Sequence, residues 1–125
     1  SGWLKLVTGL DPQRTINIHP GALPRFGGVG MYGHHVHEAT IKAYKQGEIT
    51  HSAVTMHFVT EKYDEGPVFF ECRVAISPSD TAETLAQKVN GMEHKWQPII
   101  TEKVAKGEIG WDGNNKATLF GGIYM

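Results

Sequence analysis

Two alternating segments fix the architecture. Residues 52–60, SAVTMHFVT, and residues 67–75, PVFFECRVA, both read as strands rich in β-branched and aromatic residues. The connection between them, EKYDEG at 61–66, is far too short for the crossover that two parallel neighbours need, so the pair is predicted to be antiparallel. A strand has a period of two. Val54, Met56 and Phe58 therefore share one face, and Thr55, His57 and Val59 share the other.

A third strand is predicted at residues 15–19, TINIH, where Ile16 and Ile18 face one way and Asn17 and His19 the other. Pro20 lacks an N–H and ends that run. A hydrogen-bonding amide and an imidazole thus meet at a carboxyl-terminal strand end, which in open α/β sheets is where ligands bind. Residues 3–8, WLKLVT, read as a further strand, and residues 20–33, with five glycines and two prolines, as a long loop able to wrap a substrate.

Two helices complete the pattern. Residues 34–46 place Val36, Ile41 and Tyr44 on an inner face, with Gly47 as C-cap. The second starts at Asp80, an N-cap with Glu83 three residues on, and runs to about Gly107. Its apolar stripe is Leu85, Val89, Met92, Trp96, Ile99 and Ile100, with Pro98 expected to kink it. The Gly-rich tail carries a hairpin signal at DGNN, 112–115.

The 125 residues suffice for one domain, and a formal net charge of −1 argues against a general nucleic-acid or membrane-surface binder. Cys72 is the only cysteine, so no internal disulfide forms, as in a reducing, cytoplasmic setting. Seven histidines raise the question of a metal. His34, His35 and His37 lack a carboxylate or cysteine at a familiar ligand spacing, so no metal is expected and their roles, like that of His94, stay open.

Three segments carry a specific likeness: NIHPGALPRFGG (17–28), HFVTEKYDEGPV (57–68) and SDTAETLAQKVNGMEHKWQP (79–98). With its paired N-x-H-P and D-x-G-P motifs, the chain resembles the folate-dependent formyltransferases, most closely the phosphoribosylglycinamide formyltransferase branch of purine synthesis, from about Gly2 to Gly107. Gly21, Ala22 and Leu23 stand where that family usually has Ser-Leu-Leu.

The resemblance implies an α/β, Rossmann-like formyltransferase fold, here its C-terminal part: a mixed β-sheet with flanking helices and a long C-terminal helix. It implies transfer of a formyl group from 10-formyltetrahydrofolate, as co-substrate, to the amine of glycinamide ribonucleotide, and it allows a homodimer. The family's catalytic residues fall on Asn17, His19 and Asp64. The folate pocket falls on Leu4, Lys5, Leu6 and Val7 and on Tyr63, Glu65 and Gly66, while Pro20, Thr55 and His57 line the site. The family also has an amino-terminal nucleotide-fold half with a phosphate-binding loop. Residues 1–125 are expected to be a single catalytic and folate-binding portion without it, weak or inactive alone.

The residue types suit that chemistry in their own right. Attack of an amine on a formyl carbon builds an oxyanion and a cationic nitrogen. An amide N–H stabilises the first, an imidazole hydrogen-bonds it or takes a proton, and a carboxylate orients the imidazole. With no serine or cysteine in the constellation, direct transfer without a formylated enzyme is expected. The competing readings are a formyltetrahydrofolate hydrolase, a formyltransferase for an amino sugar or methionyl-tRNA, and a non-catalytic folate-binding module.

Overall fold

The computed structural model describes residue 13 and residues 15–21, 34–59 and 66–125. The strands expected at 3–8 and the loop at 22–33 lie outside the described residues. Strand β1 is Ile16–His19, helix α1 His34–Lys45, β2 His51–Phe58, β3 Val68–Ala75, helix α2 Ala82–Ala105 and β4 Ile123–Tyr124.

The four strands form one mixed sheet in the order β1-β2-β3-β4. β2 pairs antiparallel with both β1 and β3, as the short connection requires, and β4 runs parallel to β3. The alternation in β2 sets the register. Met56 stands opposite Ile18 on one side and Phe70 on the other, while Thr55 and His57 stand opposite His19 and Asn17. An irregularity between Met56 and His57 moves His57 opposite Val68 and adds local twist.

Gly66 closes the β2–β3 hairpin. A Cβ there would lie 1.5 Å from the Phe58 carbonyl oxygen, so only glycine permits this approach. The Phe58 N–H donates to the Pro67 carbonyl at 3.0 Å beside it.

One core joins sheet and helix. Val54, Met56, Phe58, Phe70, Leu85, Val89 and Ile100 are all buried in it. Phe58 stacks on Trp111 at 5.7 Å between centroids, and Phe70 meets Trp96 at 5.9 Å. Ile99, expected in the stripe, is 44% exposed, because it lies about 100° around the helix from its buried neighbour Ile100.

Both helices end as their glycines predict. Gly47 at φ 76° and Gly107 at φ 77° occupy the left-handed region. Glu48 donates to the Ala43 carbonyl and Glu108 to that of Lys103, closing a Schellman motif at each end. Helix α2 continues through Pro98 with one backbone donor missing.

The start of α2 differs from expectation by one residue. Thr81 is the N-cap, and its capping box is completed by Thr84 rather than by Glu83. Asp80 is instead a buried anchor, accepting from the Ser77 N–H, the Thr84 hydroxyl and the Lys88 ammonium. The expected DGNN hairpin is also different. Asp112 Oδ1 accepts from the N–H groups of Asn114 and Asn115, and a short 3-10 turn follows over Lys116–Thr118. Gly110 and Phe120 then pair across the loop as an isolated bridge. Strand β4 has no alternating signal in its Gly-rich surroundings and was not foreseen.

Donors around Asp80, Lys88 first, hold its carboxyl at about 2, down from 3.8. The unfolded chain therefore binds the extra proton at a higher pH than the folded one, and this support is lost as pH falls from about 4 towards 2. Asp80→Asn should lower unfolding stability at pH 7 by about 1–3 kcal/mol and flatten the loss between pH 4 and pH 2. Urea titrations across that range check both effects.

Candidate active site

The β1–β2 pairing assembles the polar face expected from the sequence. Asn17 stands opposite His57, and His19 opposite Thr55. These pairs bring Asn17, His19, Thr55 and His57 together on adjacent strands. His19 and Thr55 are fully buried, and His57 nearly so.

Each member of the face has a structural reason for its place. The Thr55 hydroxyl donates to the Gly21 carbonyl at 2.8 Å, with the His19 carbonyl at 3.3 Å. It thus holds the chain where Pro20 turns it out of the sheet. His57 Nδ1 lies 2.9 Å from the Phe58 carbonyl, and Asn17 Nδ2 lies 3.3 Å from His57 Nε2. Burial lowers the His57 pKa, partly opposed by the Phe58 carbonyl, so the ring is neutral at neutral pH.

Beside this face lies a cavity of about 600 Å³, within the range of small-molecule sites. Asn17 and Ile18 of β1, with the following Pro20, form one wall, and His34 and His37 the α1 wall. The third wall is α2, through Glu83, Gln87, Asn90 and Glu93. Their spacing of four, three and three residues puts them on one helical face, away from the buried stripe of Leu85 and Val89. Burial raises the Glu93 pKa above the ordinary carboxylate value, against the pull of His94.

The sequence alone gives Glu93 no role beyond a helix surface or an internal polar contact. The signal was the second polar stripe at helical spacing, which cannot be told from solvent-facing residues until β1 and α1 are placed against it.

His37 is buried, and its Nδ1 has no hydrogen-bond partner among the described residues. Burial first, and then His34, lower its pKa. No group of three His, Cys, Asp or Glu side chains among the described residues is arranged to hold a metal ion.

The other expected site residues divide in two. Pro20 is buried against the cavity and Gly66 sits at the hairpin neck. Asp64, Tyr63 and Glu65, with Leu4, Lys5, Leu6 and Val7, lie outside the described residues.

A half-buried amide, Asn17, and two buried imidazoles, His19 and His57, thus lie on paired strands beside the cavity, the first two within an N-x-H-P motif. Residues 5–101 match the formyl transferase family, and the chain belongs to it. The phosphoribosylglycinamide formyltransferase of Arabidopsis thaliana chloroplasts is 36% identical over 115 residues, covering 89% of this chain and 38% of the relative. The Bacillus subtilis enzyme of that name is 33% identical over 108 residues, covering 83% and 51%.

Among solved structures, the Coxiella burnetii phosphoribosylglycinamide formyltransferase aligns with a TM-score of 0.69 at 32% identity, over 92% of this chain and 52% of that one. The Brucella melitensis structure of the same name aligns at 0.55 and 37% identity, over 72% and 42%. The chain thus spans about half, or less, of the length of these relatives.

Thr55→Val should leave the Gly21 carbonyl without its donor and destabilise the fold by about 1–3 kcal/mol, while Thr55→Ser should recover most of the loss. Chemical denaturation of the two variants, compared with wild type, checks this.

Proposed function

We propose that this chain carries the formyl-transfer site of a phosphoribosylglycinamide formyltransferase. The reaction moves a formyl group from 10-formyltetrahydrofolate to the primary amine of glycinamide ribonucleotide. The observation that carries this reading is Asn17, held by His57 and lining the cavity three residues before Pro20 turns the chain out of the sheet.

The chemistry follows from those groups. The amine nitrogen attacks the formyl carbon and the carbonyl oxygen takes up negative charge. Asn17 supplies an N–H to that oxygen, where a single aligned donor is worth about 10²–10³ in rate. His19 hydrogen-bonds the same oxygen when protonated, or takes a proton from the attacking amine. Collapse breaks the bond from the formyl carbon to N10 of the folate, and N10 takes a proton as tetrahydrofolate leaves. Asp64, by family resemblance, supports the imidazole and relays the proton. No residue of the site is a nucleophile of the serine or cysteine type, so the transfer is direct.

The cavity is the acceptor's place. Its α2 wall offers a carboxylate and two amides, Glu93, Asn90 and Gln87, groups suited to the hydroxyls of a ribose. By family resemblance, Gly66, Tyr63, Glu65 and residues 4–7 hold the folate. Both substrates are small molecules. No helix among the described residues is long and apolar enough to cross a membrane, and a cytoplasmic setting suits both substrates and the unpaired Cys72.

The test is formyl transfer by the protein at its full natural length, with glycinamide ribonucleotide or water as acceptor. Transfer to the ribonucleotide should fall about 10²–10⁴-fold in His19→Ala and be abolished or nearly so in Asp64→Asn. Formate release regardless of acceptor would move the protein to the hydrolases. Saturable folate binding without turnover would make it a binding module. Glu93→Gln should raise the KM for the ribonucleotide about tenfold or more with little change in kcat, since it removes a charged hydrogen-bond acceptor used in binding.

A further inference from the structure

The planar amide of Asn17 has two ends that differ only by O and N, and the reaction needs the N–H end. Nothing in a strand backbone decides which way an asparagine side chain turns. The decision comes from His57.

The order of hydrogen bonds is forced by chemistry. The Phe58 carbonyl can only accept, so His57 Nδ1, 2.9 Å away, carries a proton and donates. In the neutral ring Nε2 then has no proton and accepts. Its partner at 3.3 Å must be a donor, which is the Asn17 Nδ2. An amide turned the other way would set a carbonyl oxygen against the Nε2 lone pair, two acceptors facing each other in a half-buried place. The backbone pairing of Asn17 with His57 across β1 and β2 keeps the two side chains in reach.

We propose that His57 is a positioning residue for formyl transfer, acting as a fixed Nδ1–H tautomer that sets the orientation of the Asn17 amide. The Phe58 carbonyl chooses the tautomer, the tautomer chooses the amide end, and with one N–H given to His57 Nε2 the amide presents its second N–H where the oxyanion develops. Burial keeps the ring neutral and so keeps Nε2 an acceptor. His57 acts through Asn17. The inference rests on the formyl-transfer reading for its catalytic consequence, but the tautomer can be read without any reaction.

Two measurements on the full-length protein test it. Nitrogen-15 NMR of labelled histidine should show His57 with a protonated Nδ1 and an unprotonated Nε2 at neutral pH. A proton on Nε2, in either the other tautomer or the imidazolium, overturns the proposal even if the protein has no activity.

Kinetics provides the second test. His57→Leu should lower kcat about 10- to 100-fold, with each KM within about threefold, because a misaligned donor forfeits part of what a deleted one does. His57→Gln places an amide oxygen near the position of Nε2 and should restore most of the rate. In the Asn17→Ala background, His57→Leu should cost nothing further. If Leu and Gln are equivalent, or the losses simply add in the double variant, His57 is a packing residue and the proposal fails. Absence of transfer by the wild-type protein would instead remove the formyl-transfer reading, leaving the NMR result to stand on its own.

Discussion

The site depends on the antiparallel register between β1 and β2. It places Asn17 against His57 and His19 against Thr55, and a slip of one residue would turn Ile16 and Ile18 to the polar face. Two features pin the register from opposite sides. The apolar face of β2 is locked into the core with Phe70, Leu85 and Val89, and the Thr55 hydroxyl of β2 donates to the Gly21 carbonyl, tying the chain just after β1 to β2. The stability of the core and the placement of polar side chains are thus one constraint. Because strand residues alternate, packing Val54, Met56 and Phe58 obliges Thr55 and His57 to point the other way.

The cavity arises where that strand pair meets the two helices. Pro20 takes the chain out of the sheet, α1 supplies His34 and His37, and α2 brings in a polar stripe. The fixed start of α2 matters here. Asp80, buried and bonded to Ser77, Thr84 and Lys88, together with the Thr81 cap, sets where the first turn begins, and so where Glu83, Gln87, Asn90 and Glu93 fall. An anchor at one end of a helix thereby aligns a face that extends several turns along it.

Much of this was legible in the residues. The alternation in β2 and β3 predicted their pairing and faces, TINIHP predicted a strand ending on Asn17 and His19, and Gly47 and Gly107 marked both helix ends. Local rules did less well where two candidates competed. Asp80 and Thr81 both cap helices, and only burial of Asp80 beside Lys88 decides that Thr81 takes the role. Strand β4 escaped notice because two residues paired to a distant strand leave no periodic trace. Glu93 escaped because its face acquires meaning only from elements that fold against it. The face His57 shares with Thr55 was legible, yet its hydrogen bonds to Phe58 and Asn17 depend on local geometry that spacing does not encode.

The central claim is that formyl transfer takes place beside Asn17, with the acceptor in the cavity between β1, α1 and α2. The most direct measurement is a crystal structure of the full-length protein with glycinamide ribonucleotide and a non-transferable analogue of 10-formyltetrahydrofolate. The account predicts the analogue's formyl-equivalent carbon next to the Asn17 amide, with the acceptor's amine on its cavity side and its ribose against Glu93. Both ligands bound elsewhere, or the Asn17 side chain directed away from the reacting carbon, would contradict it.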